Sequence, residues 1–252
     1  MEEDRFSGDV ILLHGPPKIG KSTLATSFPR PILYIAAETA GVKYLNFTTK
    51  DKVLAIESDD GWSQFKKLVT SMKRGLRFET VIVDTVSMLF ELCKRHHCKT
   101  LRVDHPSDKH DHGATWSKIG DDFLKWVGLL SSYTVEHKAR LILVAHSKEE
   151  TIETDMEKAI KKITVALPGQ AARIITARPD HIWYMGYGGM DESGSLTDFK
   201  SERALWIQGT SVIYAESRDR GLSRKMKVID PIPEKDTYQH VLSAYSKRRK
   251  IT

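Results

Sequence analysis

The sequence predicts an α/β fold in which a mainly parallel central sheet is flanked by helices, with antiparallel strands added at the C-terminal side. Two observations lead to this prediction. Up to about residue 162, short apolar runs alternate with segments long enough to form crossover helices. Beyond that residue, apolar runs are separated by Gly, Ser and Asp turns, which is typical of antiparallel strands.

The predicted parallel strands are near-continuous apolar runs, a pattern that indicates burial on both faces of a sheet. They cover residues 10–13, 32–36, 53–56, 81–83 and 141–144. Between them, two segments carry apolar side chains at spacings of three and four, which predicts amphipathic helices at residues 62–72 and 116–133. The later predicted strands cover residues 163–167, 181–185, 204–207 and 212–215.

The length of 252 residues allows one large core, and no linker rich in Pro, Gly or Ser divides the chain. We expect one domain over residues 1–252, with its core at about 8–220 and a C-terminal strand, helix and basic tail at 221–252. No apolar run approaches the ~20 residues of a membrane span. The charged start, which lacks a signal-like apolar region, and the use of two cysteines predict a reducing, cytoplasmic location.

A phosphate-binding loop follows the first predicted strand. Residues 15–22 read GPPKIGKS, a full match to the pattern G-x-x-x-x-G-K-[ST]. Its glycines leave room for phosphate oxygens, while backbone N–H groups and the start of the next helix attract their charge. Lys21 is expected to reach the terminal phosphates of ATP, and the Ser22 hydroxyl to bind Mg²⁺. The predicted nucleotide contacts are Gly15, Pro16, Pro17, Lys18, Ile19, Gly20, Lys21, Ser22 and Thr23.

Three later strand ends carry polar residues that suit the rest of an ATP site. Residues 80–84 read TVIVD, a Walker B pattern, and we expect Asp84 to hold Mg²⁺ rather than only to cap the next helix. Glu38 ends the strand after the loop helix, where a carboxylate can orient and deprotonate water; an exposed loop glutamate is the alternative. His146 also ends a strand and is either a γ-phosphate sensor or a structural histidine.

This order of parts resembles the RecA-like P-loop ATPase core, and the resemblance covers about residues 8–220. Within that class the chain is most similar to compact RecA-like ATPases of phages and prophages that act in single-strand annealing or recombination. The resemblance implies that Glu38 is the catalytic base, that ATP and Mg²⁺ are bound, and that His146 couples ATP to DNA-binding loops. If a phage encodes the chain, its setting is the cytoplasm of a bacterial host.

The same resemblance implies a homo-oligomer, either a ring or a filament. In that family, basic residues on a late strand reach the ATP of the neighbouring subunit, and Arg218 and Arg220 occupy the corresponding place. Ordinary surface arginines are the alternative. The chain begins a few residues before its first predicted strand, where full-length recombinases carry a polymerisation domain. Its subunit contacts are therefore expected to differ from theirs.

Two long polar stretches, residues 93–116 and 147–170, correspond to the DNA-binding loops of RecA-like proteins. Cations there can neutralise phosphates of single-stranded DNA without reading its sequence. The net charge of +6 favours an anionic partner, although a charge run is often only a solvated face. The candidate DNA contacts are Lys94, Arg95, Lys99, Arg102, Lys148, Lys158, Lys161 and Lys162.

A second candidate site is a group of cysteines and histidines that could bind zinc. Its members are Cys93, His96, His97 and Cys98, followed by His105, His110 and His112. The four residues between the two cysteines are a permitted ligand spacing. We favour a core position for Cys93, because it continues a helical apolar pattern.

The favoured interpretation is an ATP- and Mg²⁺-dependent DNA-binding ATPase acting in recombination, single-strand annealing or repair, with a single-strand-binding protein as a possible further partner. A RecA-fold signalling or assembly ATPase that acts on a protein partner is the alternative. A small-molecule kinase is a third reading, which Glu38 and the lack of a recognisable acceptor or lid motif disfavour.

Overall fold

The computed structural model describes residues 6–75, 77–152, 160–188, 203–218, 228–229 and 237–246. Its strands are β1 (Val10–Gly15), β2 (Ile32–Ala36), β3 (Lys52–Ala55), β4 (Thr80–Asp84), β5 (Arg140–Ile152), β6 (Ile160–Val165), β7 (His181–Tyr187), β8 (Arg203–Trp206), β9 (Glu216–Ser217) and β10 (Val228–Ile229). Its helices are α1 (Lys21–Thr26), α2 (Gly61–Met72), α3 (Val86–Leu101), α4 (Ala114–Glu136), α5 (Gly169–Ala177) and α6 (Thr237–Ser246). Two 3₁₀ turns lie at Val42–Tyr44 and Pro106–Lys109.

The described strands form one mixed sheet in the order β10-β8-β7-β1-β5-β4-β2-β3, with β6 paired to β5 and β9 to β7. The strands from β7 to β3 in this order are parallel to their neighbours. The other four, β6, β8, β9 and β10, pair antiparallel. The predicted α/β class, a mainly parallel sheet flanked by helices and extended by antiparallel strands, is confirmed.

Two apolar cores lie on opposite faces of the sheet because alternate strand residues point to opposite faces. On one face, β-strand residues such as Leu12 and Val83 pack with α2, α3, α4 and α5. On the other face, their neighbours Leu13 and Ile82 pack with α1 and α6. This double burial explains the near-continuous apolar runs of β1, β2 and β4. The edge strand β3 differs from the prediction because most of its residues are exposed.

The first stretch predicted as a DNA loop, residues 93–116, is largely helical, so its prediction as a loop is wrong. The Thr85 hydroxyl accepts a hydrogen bond from the Met88 N–H and starts α3, which runs on to Leu101. Its buried stripe includes Leu89, Cys93 and Cys98, so burial on one face carries the helix through a segment whose other positions are polar. α4 then begins at Ala114.

The second stretch, residues 147–170, is mainly a β-hairpin rather than a loop. β5 continues beyond His146 and pairs antiparallel with β6 from Ser147↔Val165 to Ile152↔Ile160. The hairpin ends near α5, which begins at Gly169. Another predicted strand, residues 212–215, contributes an isolated parallel bridge between Ile213 and Ile163, followed by the short strand β9.

None of the helices among the described residues is long and apolar enough to cross a membrane. The C-terminal helix α6 instead packs on the sheet, where Tyr238 and Val241 are buried against Phe28 and its neighbours. The Tyr238 N–H donates to the Ser27 hydroxyl at 2.9 Å, which attaches α6 to the end of α1.

His14 is a fully buried histidine on β1, directly before the phosphate-binding loop. Its Nε2 lies 2.7 Å from the Tyr214 carbonyl oxygen, so Nε2 carries the proton and donates it. Burial lowers the pKa of His14 to about 4, and the charge of Lys21 acts in the same direction against the effect of that hydrogen bond. His14 therefore stays neutral in the folded protein at neutral pH.

We predict that acidification destabilises the fold through His14. The imidazole of His14 takes up a proton near pH 6.5 in the unfolded chain and near pH 4 in the folded chain. The free energy of unfolding therefore falls below pH 6.5, by about 2 kcal/mol at pH 5. Urea unfolding measured from pH 7 to pH 5 checks this. His14→Gln, which does not titrate, is expected to show a shallower fall in unfolding free energy, and equal slopes for the two proteins would contradict the assignment.

Candidate nucleotide-binding site

The phosphate-binding loop joins the end of β1 to the start of α1, and its two glycines are required by close contacts. A Cβ atom on Gly15 would lie 2.2 Å from the Met185 carbonyl oxygen of β7. Gly20 has φ +105°, and a Cβ atom there would meet the Arg203 guanidinium at 2.4 Å. Sequence reasoning assigned these glycines to phosphate clearance alone, whereas the β7 backbone also excludes a side chain at Gly15, and the positive φ of Gly20 disfavours one there.

Lys21 is buried at the base of this loop and points back toward it. Its ammonium donates to the carbonyl oxygens of Gly15 at 2.9 Å and Pro16 at 2.7 Å. Burial lowers the pKa of Lys21 to about 8, although the carboxylates of Asp84 and Glu38 raise it. The side chain thus holds its charge weakly, in a position from which it can reach phosphate.

Ser22 and Asp84 come together as predicted for a Mg²⁺ site. The hydroxyl of Ser22, in the first turn of α1, donates at 2.5 Å to Oδ2 of Asp84, the last residue of β4. The Asp84 backbone carbonyl accepts the N–H groups of Ala37 at 2.8 Å and Glu38 at 3.2 Å, which fixes the end of β2 to the end of β4. A hydroxyl and a buried carboxylate that line one cavity are the hard oxygen donors that Mg²⁺ prefers, so these residues fit that ion.

Glu38 and His146 face each other at the same edge of the sheet. Glu38 Oε2 lies 3.5 Å from His146 Nε2, and both side chains are partly exposed. His146 pairs with Gly15 in the β1–β5 register, so it lies beside the start of the phosphate-binding loop. The structure therefore brings together the predicted base and the predicted sensor.

These groups surround one cavity of about 500 Å³ at the carboxyl ends of the parallel strands. Its lining residues are Pro17, Lys18, Gly20, Lys21, Ser22, Thr23, Tyr34, Glu38, Ala40, Gly41, Tyr44, Leu45, Asp84, Thr85 and His146. The space is within the usual range for a small-molecule site. Ligands of α/β sheets commonly bind at this edge.

Two tyrosines of this cavity were not anticipated from the sequence. Tyr34 lies on β2 and donates from its hydroxyl to Asp84 Oδ2. Tyr44 follows in the 3₁₀ turn, and its ring is 77% exposed although it lines the cavity. Tyr34 looks like one apolar strand residue among several and Tyr44 like a loop residue. Only the pairing of β2 with β4 and the path of the loop reveal their positions.

Arg218, one of the two predicted trans-acting arginines, does not line this cavity. The Arg218 guanidinium lies 2.8 Å from Asp180 Oδ1, and Asp180 also accepts the Val10 N–H. Val10 begins β1 and Asp180 precedes β7. This ion pair therefore lies at the amino ends of the parallel strands, whereas the cavity lies at their carboxyl ends. Arg220 lies outside the described residues.

The candidate DNA contacts on α3 lie on its polar side. Arg95, Lys99 and Arg102 are exposed. Lys94 forms an ion pair with Glu91 at 2.5 Å, and Lys99 lies 4.0 Å from Asp59.

The hairpin carries the other candidates. Lys148 lies 3.8 Å from Glu150, and Lys161 lies 4.0 Å from Glu149, so glutamates partly balance these cations. The Lys162 ammonium lies 5.5 Å from the centre of the Tyr214 ring. Lys158 lies outside the described residues.

The potential metal ligands that lie close together among the described residues differ from the cysteines and histidines considered as a zinc site. Cys93 and His97 approach Asp122 of α4, with potential ligand atoms within 4.8 Å of one another, and Cys98 is not in this group. Hydrogen bonds already account for each member. The Trp62 indole and the His97 ring both contact Asp122 Oδ2, at 2.9 and 3.0 Å, and the Cys93 thiol lies 3.7 Å from the Ile119 carbonyl oxygen. Burial raises the pKa of Cys93, which favours its neutral thiol.

Comparison with known proteins shows a family and many solved structures to which the chain is similar. The chain is similar to a KaiC-like protein from the hyperthermophilic archaeon Pyrococcus horikoshii OT3, with 12% identity and a TM-score of 0.42 over 81% of this chain and 80% of that chain. It is similar also to the RadB recombinase, with 15% identity and a TM-score of 0.43 over 80% of each chain. No curated protein gives a significant sequence match. A family model described as an AAA domain (AAA_24) matches residues 7–219, so the chain belongs to this AAA-domain family.

Proposed function

We propose that the protein is an ATP- and Mg²⁺-dependent ATPase that binds single-stranded DNA and acts in recombination, single-strand annealing or repair. The observation that carries the ATPase part is the cavity in which Lys21, Ser22, Asp84 and Glu38 meet. These side chains supply a cation for phosphates, oxygen donors for a metal and a carboxylate for water, which are the groups that ATP hydrolysis requires.

The chemistry divides among residues of this chain. The loop amides and Lys21 bind the phosphates; Ser22 and Asp84 would hold Mg²⁺, which would offset negative charge on the phosphate oxygens. Glu38 orients a water molecule and accepts its proton as the water oxygen bonds to the γ-phosphorus. The bond from that phosphorus to the bridging oxygen breaks, so ADP and phosphate leave. His146, at 3.5 Å from Glu38, orients this carboxylate.

The proposal of DNA binding rests on how the hairpin is attached to the site. His146 lies on β5, whose continuation forms the first strand of the hairpin, and the Ala166 N–H returns to the His146 carbonyl at 2.7 Å. A second connection starts at His14 beside the loop and passes through the Tyr214 backbone, whose N–H donates to the Ile163 carbonyl of β6 at 3.0 Å. Two sets of hydrogen bonds therefore connect the candidate site to the hairpin that carries Lys148, Lys161 and Lys162.

We further propose that the active form is a ring or filament in which one subunit supplies Arg218 and Arg220 to the ATP of its neighbour. In support, Arg218 lies at the opposite edge of the sheet from the cavity of its own chain, and its side chain is 66% exposed. A mixture of Glu38→Gln and Arg218→Ala subunits tests this. Activity in the mixture above the sum of the two separate variants is expected, and strictly additive activity would contradict it.

A protein partner is the second candidate. The charges of Glu149 and Glu150 among the hairpin lysines favour it, because a surface of mixed sign suits a protein better than a polyanion. The hairpin and its linkage to His146 would then transmit ATP hydrolysis to that protein.

We predict that Glu38→Gln lowers the rate of ATP hydrolysis by at least about 100-fold, because the amide cannot accept a proton from water. Binding of a fluorescent ATP analogue is expected to stay within about twofold of the parent protein. Glu57→Gln is the matched control, since this nearby carboxylate bonds to Thr39 and does not line the cavity. Hydrolysis by Glu38→Gln at the parent rate would refute the base assignment.

We predict that affinity for the ATP analogue falls about tenfold between pH 7 and pH 9, because Lys21 with a pKa of about 8 loses its charge over this range. The affinity falls as the pH rises because the cationic form of Lys21 is the one that binds phosphate. Lys21→Arg keeps its charge throughout and should bind with nearly constant affinity. An equal decline in both proteins would assign the effect to another group.

We predict that replacing Lys161 and Lys162 together by glutamate weakens binding of single-stranded DNA at least about tenfold. The slope of log affinity against log salt should also become shallower by about 0.7 for each lysine. A pair with the same change of charge on the distant β3 edge, Lys50→Glu with Lys52→Glu, serves as the control, and binding is measured by fluorescence anisotropy. Equal losses in both pairs would refute the hairpin contact.

If the parent neither binds single-stranded DNA at low salt nor hydrolyses ATP faster when it is added, the DNA part of the proposal fails. The ATPase assignment, tested through Glu38, does not depend on that result.

A further inference from the structure

Tyr34 stands out among the residues of the cavity because none of the roles proposed above uses it. It lies in the middle of β2, where it pairs with Ile82 of β4, and its side chain is 1% exposed. Two residues farther on, Ala36 pairs with Asp84. Because residues two apart on a strand share a face, Tyr34 and Asp84 both point toward the α1 side of the sheet.

The Tyr34 hydroxyl and the Ser22 hydroxyl converge on one oxygen of Asp84. Both donate to Oδ2. Among the described residues, Oδ1 accepts no hydrogen bond, although the Asp84 side chain lines the cavity. The carboxylate is thus held through one oxygen, while the other keeps its lone pairs for a cation or for the water around it.

The surroundings of Tyr34 keep its hydroxyl a donor. Burial raises the pKa of Tyr34, and the negative charge of Asp84 raises it further. The ring is held by its neighbours, including an edge-on contact with Phe47 at 5.3 Å between ring centres. A neutral hydroxyl on a fixed ring forms a strong and well-directed hydrogen bond when it donates to a carboxylate.

We propose that Tyr34 is a positioning residue for magnesium: its hydroxyl fixes Asp84 through Oδ2 and leaves Oδ1 for the metal. This inference rests on the proposed function, because it takes Mg²⁺ with nucleotide as the species that Asp84 serves. Ser22 alone cannot replace Tyr34, because the serine hydroxyl would have to bind the metal and hold Asp84 at the same time. The Tyr34 hydroxyl comes from the protein interior, donates to Asp84 and also contacts the Ser22 hydroxyl.

The inference separates the metal from the nucleotide. The described contacts of the Tyr34 hydroxyl are with Asp84 and Ser22, the two residues proposed to hold the metal, so we expect it to affect nucleotide binding through the metal. Tyr34→Phe removes one oxygen atom and keeps the ring that packs against Phe47. We expect this variant to fold, to bind nucleotide normally without metal, and to need more Mg²⁺.

The test measures binding of a fluorescent ATP analogue at increasing Mg²⁺ concentrations, with a parallel series in EDTA. The Mg²⁺ concentration for half of the effect is expected to rise about tenfold in Tyr34→Phe, the size of a lost hydrogen bond to a charged group. In EDTA the affinities of variant and parent should agree within about twofold. Tyr133→Phe is the matched control, because this partly buried tyrosine of α4 packs in the core on the other face of the sheet.

A second pair of proteins distinguishes positioning from general packing. Tyr34→Phe should change the Mg²⁺ requirement in the parent and leave it unchanged in an Asp84→Ala background, where no carboxylate remains to be held. An equal change in both backgrounds would overturn the inference, as would an unchanged requirement in the parent background. If the parent itself binds the analogue equally well with Mg²⁺ and with EDTA, the Mg²⁺ part of the proposed function fails instead.

Discussion

The parallel register of the central strands is the constraint on which the candidate site depends. Gly15 pairs with His146, Val144 with Asp84, and Asp84 with Ala36, so β1, β2 and β4 end at nearly the same level, and β5 passes His146 there before it enters the hairpin. Each crossover returns the chain to the opposite edge, and every strand therefore presents its last residues at one edge. A shift of one residue in any pairing would turn a site residue toward the opposite core.

This arrangement places charge where the sheet is otherwise most apolar. Lys21 and Asp84 are both buried, and the protein meets this cost by hydrogen-bonding each of them more than once. Burial is the main cause of both the lowered pKa of Lys21 and the raised pKa of Tyr34; the charge of Asp84 opposes the shift at Lys21 and adds to it at Tyr34. Clusters of buried groups with shifted pKa values are common at functional sites.

The sequence was sufficient for the parallel strands of the sheet and for the residues of the candidate site that adjoin strand ends, but it did not predict the β5–β6 hairpin. Buried runs such as residues 32–36 and 80–84 predict strands, and a polar residue that ends such a run predicts the site edge. The same reasoning failed at residues 93–116, where exposed lysines hid a helix whose buried stripe includes Cys93. Tyr34 and Asp122 could not be found either. Each acts across a pairing of elements distant in the chain, β2 with β4 and α3 with α4, which no local pattern encodes.

The contact between Gly15 and the Met185 carbonyl has a bearing on how such chains diverge. Because β7 leaves no space for a side chain at that position, selection for a stable sheet preserves this glycine whether or not catalysis is under selection. If the proposed hydrolysis were lost in a related protein, we expect Gly15 to be retained longer than Glu38, whose side chain is partly exposed. In related sequences, the presence of Gly15 is therefore weak evidence for the proposed activity, and residues at the positions of Glu38 and Asp84 are more informative.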